Sequence, residues 1–118
     1  MNNRKEQLAA LDRLLTIMDE LRTQCPWDRK QTFESLRHLT IEETYELADA
    51  ILDKELSCME GELGDLLLHI FFYAKIGSES QSFDITSIAN AISEKLINRH
   101  PHIYGDITVA DEEEVKRN

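Results

Sequence analysis

Gly61-Glu62-Leu63-Gly64-Asp65-Leu66-Leu67-Leu68-His69-Ile70-Phe71-Phe72 sets two acids inside a run too apolar to have a broad solvated side. Its helical reading extends from about Glu55 to Ile76 and stops near Gly77, where a Ser-rich loop suits a helix C-terminus. A helix that is apolar on nearly all sides belongs at the middle of a bundle or in a subunit interface. Gly61 and Gly64 each weaken it by roughly 1 kcal/mol relative to Ala. Close approach of a helix or a ligand would offset that loss.

Three further helices are read around this one. Leu8, Leu11, Leu14, Leu15, Met18 and Leu21 form an apolar stripe over about Asn3 to Thr23, the pattern of a core-facing helix. A loop follows from Gln24 to Gln31, and Thr32 is placed to cap a second helix over about Phe33 to Asp53. A short break near Asp53 to Leu56 folds the second and third helices into an antiparallel hairpin. Asp84 caps a fourth helix, whose buried stripe is Ile85, Ile88, Ala89, Ile92 and Leu96, and which ends before Pro101. The fold class is therefore all-α, an antiparallel four-helix bundle.

The hairpin brings acids together. Glu42, Glu43 and Glu46 precede Glu62 and Asp65, with fifteen residues between Glu46 and Glu62. Residues three apart share a helix face, so Glu43 with Glu46 and Glu62 with Asp65 make two patches, each about one turn long. Such acids are a solvated face or a cation site. The segment Ile41 to Leu52 carries four acids and no base, and the Glu62–Asp65 pair lies in apolar text, both of which favour a cation site. Crowded carboxylates repel, and a hard divalent ion such as Mg²⁺ or Mn²⁺ removes the conflict through oxygen ligands.

Composition narrows the class. The 118 residues make one domain, with a formal net charge of −10 that argues against a nucleic-acid polymer or an anionic membrane as partner. No run reaches the length of a membrane span and the N-terminus lacks a signal-peptide core, so a cytoplasmic location is expected. Cys25 and Cys58 lack metal-ligand spacing and read as reduced thiols. The domain is expected over residues 1–104, with an acidic tail over residues 105–118. No internal repeat is visible.

Three blocks together resemble the MazG-like nucleoside triphosphate pyrophosphohydrolases, of the type found as an N-terminal domain. They are Cys25-Pro26-Trp27-Asp28 with Gln31-Thr32, Glu42-Glu43-Thr44-Tyr45-Glu46 with Glu62-Leu63-Gly64-Asp65, and Lys95-Leu96-Ile97-Asn98-Arg99-His100-Pro101-His102. The resemblance implies Mg²⁺-dependent hydrolysis of a nucleoside triphosphate between the α and β phosphates, in a homodimer or higher oligomer. It assigns Glu43, Glu46, Glu62 and Asp65 to Mg²⁺, with Mn²⁺ as a substitute. Glu42 is assigned to orient or deprotonate the attacking water, or to reach a second metal ion. It also implies an alternative, a weakly active or inactive nucleotide-binding or dimerisation module of a tandem protein.

Other residues keep two readings. Lys95 and Arg99, one turn apart, meet phosphates or simply complement a helix C-terminus. The family pattern has a second Arg where this chain has Asn98, which removes one phosphate contact. Trp27 stacks on a nucleobase or anchors its loop on the core, and Asp28 bonds a sugar or base edge or caps the following helix. His69 reads as a satisfied core or interface histidine. His100 and His102 flank Pro101, too sparse a pair for a metal site, and the resemblance makes them a structural helix exit.

Overall fold

Polar caps mark where the helices begin. In the computed structural model, which describes residues 3–105, Asn3 Oδ1 accepts from the Glu6 amide at 3.1 Å and opens α1, Arg4–Gln24. Thr32 and Ser35 exchange side-chain-to-backbone hydrogen bonds of 3.0 and 2.8 Å at the head of α3, Phe33–Leu52. Asp84 and Ser87 do the same at 2.9 Å in both directions before α5, Ile85–Arg99. Each such box satisfies two amides that a helix start leaves unpaired. The caps expected at Thr32 and Asp84 are the ones found.

Among the described residues every regular element is helical: α2, Pro26–Lys30, α4, Leu56–Glu79, and α6, Pro101–Tyr104, complete the set. The loop expected from Gln24 to Gln31 is corrected by α2. Pro26 stands at its first turn, where a fixed φ favours the helix and the missing N–H costs nothing. The third predicted helix, now α4, also runs past Gly77 to Glu79, because Gly77 is buried and the chain turns only at Ser80 to Ser82.

Both helices of the central hairpin end in the same way. After α3 the Lys54 amide bonds the Ile51 carbonyl at 3.2 Å and the Glu55 amide bonds that of Ala50 at 3.3 Å. After α4 the Gln81 amide reaches Ser78 at 3.1 Å and the Ser82 amide reaches Gly77 at 3.0 Å. These paired bonds define Schellman ends. Lys54 and Gln81 occupy the left-handed position, with φ of 57° and 58°, where glycine is the usual residue.

The chain divides into two compact units between Ser82 and Phe83. In the first, α4 packs chiefly on α3 and also on α1. Met18, Leu36 and Phe72, each no more than 2% exposed, form the core, flanked by Leu39, Leu68, Tyr73 and Ile76. Met18 is the one buried residue of the α1 stripe, while Leu8 and Leu11 remain 58% and 41% exposed. The apolar pattern of α1 thus exceeds what the chain covers. In the second unit α5 packs against α6. No residue of α5 is buried, and Ile92 and Leu96 are about half exposed, so the buried stripe expected there is not observed. The four long helices and the all-α class agree with the sequence reading. Of the acidic tail only Gly105 is described, and residues 106–118 lie outside the described region.

Lys54→Gly and Gln81→Gly are expected to stabilise the fold by on the order of 0.5–1 kcal/mol each, because a side chain in the left-handed region costs more than glycine's extra freedom. Thermal unfolding followed by circular dichroism should show both midpoints raised.

Candidate functional site

Packing of α3 on α4 brings Glu43, Glu62 and Asp65 together, with one carboxylate oxygen from each lying within 4.8 Å of the others. Glu43 is buried, at 9% exposure, Glu62 is half-buried and Asp65 is exposed, so the cluster opens from the hairpin interior toward solvent. Oε1 of Glu43 and Oε2 of Glu62 are buried and have no hydrogen-bond partner. Unpaired buried oxygens of this kind are costly unless a proton or a cation meets them.

The electrostatics agree. The Glu43 carboxyl is pushed up to about 8, first because Glu62 accepts a hydrogen bond only from its protonated form, then by burial and by the charges of Asp65, Glu62 and Glu46. Glu46, one turn on and exposed, is also raised, chiefly by hydrogen bonding to Glu62. Carboxylates crowded this closely repel one another unless a proton or a cation meets them. Oxygen-only donors, two of them orphaned, fit a hard ion such as Mg²⁺ or Mn²⁺.

The remaining sequence candidates lie on other turns and other helices. Glu42 is exposed on α3, beside Glu43 in sequence and thus turned about 100° from it around the helix. Lys95 and Arg99 are exposed on α5, one turn apart, within the second unit. Trp27 sits on α2 in T-shaped contact with Phe72, the ring centroids 6.4 Å apart and the planes at 80°. More than half of the Trp27 surface, 54%, remains open, so the ring is both anchored and available. Asp28 is half-buried on α2 and does not cap α3, since Thr32 and Ser35 hold that role.

Sequence reasoning missed a polar network beside the acids. Thr40 Oγ1 lies 2.9 Å from His69 Nδ1, also bonds the Tyr73 hydroxyl, and reaches the Leu36 carbonyl at 3.2 Å. It ties α3 to α4 one turn beyond Asp65. His69 is the satisfied histidine expected of it, and burial lowers its pKa although Asp65 opposes the shift. His100 Nδ1 donates to the Leu96 carbonyl at 2.6 Å, and Pro101 begins α6 as the expected helix exit. Cys25 and Cys58 are both free thiols. A methyl group added at Gly61 or Gly64 would meet nothing within 4 Å, so among the described residues no helix makes the close approach considered for these glycines.

The raised Glu43 pKa has a stability consequence with a definite sign. Between the ordinary value of 4.5 and about 8 the folded state holds a proton that the unfolded state has released. The contribution is fully present below about 4.5 and is lost as pH rises through about 8. His69, held neutral by burial, gives the opposite slope below its ordinary 6.5. In chelator, the stability lost by wild type relative to Glu43→Gln should therefore grow as pH rises through this window, measured by thermal unfolding of both proteins. An unchanged difference would contradict the coupling between Glu43 and Glu62.

Comparison with known proteins agrees with this arrangement. Residues 31–104 match the MazG nucleotide pyrophosphohydrolase domain, a span that includes the acidic cluster and the Lys95–Arg99 helix. A nucleoside triphosphate pyrophosphohydrolase of Escherichia coli K12 is 47% identical over 108 residues, covering 89% of this chain and 41% of that protein. A nucleoside triphosphate pyrophosphohydrolase/pyrophosphatase MazG of Thermotoga maritima is likewise 47% identical, over 86% of this chain and 41% of its own length. The chain thus spans about two fifths of these curated relatives. The crystal structure of a mazG-related protein from Thermotoga maritima superposes with a TM-score of 0.76 at 27% identity, over 90% of this chain and 92% of that one. An acidic helical hairpin with two orphaned carboxylate oxygens, inside a sequence that matches from Gln31 to Tyr104, identifies this chain as a member of the MazG nucleotide pyrophosphohydrolase domain family.

Proposed function

We propose that this chain hydrolyses nucleoside triphosphates between the α and β phosphates, releasing the nucleoside monophosphate and pyrophosphate, with Mg²⁺ as the cofactor and Mn²⁺ as a substitute. The observation that carries the reading is the convergence of Glu43, Glu62 and Asp65 with two buried oxygens lacking partners. Glu43, Glu46, Glu62 and Asp65 hold the ion. When bound, Mg²⁺ supplies charge neutralisation at the phosphate oxygens and lowers the pKa of an attacking water.

The protein's own groups do the rest. Glu42, exposed beside the cluster, orients the water and takes its proton as the oxygen bonds to phosphorus and the α–β bridge breaks. The electron pair leaves with pyrophosphate. Lys95 and Arg99 meet the distal phosphates, while the open face of Trp27 and the Asp28 carboxylate receive the nucleoside. In this reading the domain is residues 1–104, residues 105–118 are a tail, and the role is removal of surplus or noncanonical nucleotides in the cytoplasm. Nucleic-acid polymers are not substrates at a net charge of −10. Among the described residues no helix is long and apolar enough to cross a membrane.

A homodimer belongs to the same proposal. Ile51, Leu52, Leu56, Leu63 and Ile70, on α3 and α4, are 40–77% exposed, apolar side chains that a subunit interface would cover. A second reading rests on length. The chain covers 41% of each of these relatives, and in this second reading it is a nucleotide-binding or dimerisation module with weak or no turnover of its own.

Pyrophosphate release from a panel of eight ribo- and deoxyribonucleoside triphosphates, with Mg²⁺ and with chelator, separates these readings. Metal-dependent release is expected. Glu62→Gln and Asp65→Asn should each lower turnover by more than about a hundredfold, with the helical circular dichroism unchanged. Nucleotide binding without release would favour the module, and full activity with unaltered Mg²⁺ affinity in either variant would remove the metal assignment.

A further inference from the structure

Arg22, in the last turn of α1, uses all three guanidinium nitrogens. Nε donates to Glu79 Oε2 at 2.8 Å and Nη2 to Glu79 Oε1 at 2.9 Å, a bidentate pair. Nη1 donates to the carbonyls of Asp28 at 2.7 Å, Arg29 at 3.2 Å and Gln31 at 2.9 Å. Those carbonyls close α2, where a helix leaves its last acceptors without intrahelical donors. The guanidinium also stands 6.0 Å from the centroid of the Phe72 ring, which is itself in T-shaped contact with Trp27. Glu79 holds the Arg22 pKa up and is itself held down by it.

A five-residue helix cannot hold itself in water, because the cost of nucleating the first turn exceeds what so few bonds return. The seat of α2 is therefore set from outside, by Arg22 on its carbonyls and by Phe72 against Trp27. Both supports refer back to α4. Asp65, Phe72 and Glu79 recur every seven residues along one face of that helix, about 10 Å apart. Asp65 of the acidic cluster, the Phe72 contact for Trp27 and the Glu79 brace of Arg22 are thus marks on one helix.

We propose that Arg22, braced by Glu79, is a positioning residue for the nucleoside end of the substrate. It fixes Trp27 and Asp28 at a set distance from the acidic cluster, so that binding a nucleotide does not first have to order α2. This rests on the nucleotide reading above and deepens it. Lysine cannot replace the guanidinium, since a point charge on a flexible stem does not span a carboxylate and three carbonyls at once.

Trp27 is the single tryptophan of the chain, so its fluorescence reports the seating of α2 directly. The test compares wild type with Arg22→Lys and with the milder Glu79→Gln. Its readouts are Trp27 emission and anisotropy, nucleotide affinity (KM, or Kd from Trp27 quenching), kcat, and Mn²⁺ affinity. Both variants should loosen Trp27, with lower anisotropy and red-shifted emission, and should raise KM or Kd about tenfold, Arg22→Lys the more. They should leave kcat within about twofold and Mn²⁺ affinity unchanged. Unchanged nucleotide affinity in a variant with a loosened Trp27 would overturn the proposal, as would an unperturbed Trp27 in both. A parallel loss of Mn²⁺ affinity would also overturn it, by making Arg22 a support of the whole fold. Wild type that neither binds nor hydrolyses any nucleoside triphosphate would remove the nucleotide reading and this proposal together, an outcome distinct from the others.

Discussion

Packing α3 against α4 forces Glu43 and Glu62 into each other's field, and that enforced repulsion organises much of what surrounds it. Apolar contact at the far part of the hairpin holds the two helices together: Leu36 and Phe72 close on Met18, and Leu39, Leu68, Tyr73 and Ile76 fill around them. The acids sit nearer the turn, where the core gives way to partly covered side chains. Hydrophobic burial, which has no direction, thus fixes the spacing of groups that would separate if left free. Between the two zones Thr40 joins His69 and Tyr73, so the register of the helices is pinned by hydrogen bonds just where the lining turns from apolar to charged.

Much of the fold was legible because its signals are local. Thr32 and Asp84 are capping residues followed three positions later by serine, and a cap depends only on its own first turn. The acidic pairs were legible because a three-residue spacing on a helix is a statement about one face. The break at Asp53 to Leu56 was legible in place but not in form, since nothing local announces that Lys54 rather than glycine adopts the left-handed turn. What stayed hidden is non-local. Arg22 meets Glu79 across 57 residues and also bonds the last carbonyls of α2, a helix that Pro26 begins. The stripes of α1 and α5 record an apolar pattern, and a pattern carries no information on what covers it.

The site divides along the same line. The sequence points to Glu43, Glu62 and Asp65, which converge, and to Trp27, which is anchored and open at once. The depth of each acid is a product of packing. Glu43 is buried while Glu42, its neighbour in sequence, is exposed, and that contrast of one residue separates a candidate ligand from a candidate base. The family match spans Glu43, Glu62 and Asp65 without supplying their burial or their protonation.

The proton that Glu43 keeps up to about 8 is itself a small cation, held where two carboxylates would otherwise be unscreened. Any larger cation that enters between Glu43 and Glu62 must expel it. Uptake of an ion at neutral pH would then acidify the solution, and the heat measured would include the ionisation of whichever buffer captures the proton. Titrations in buffers of different ionisation enthalpy would differ by an amount that counts the protons displaced.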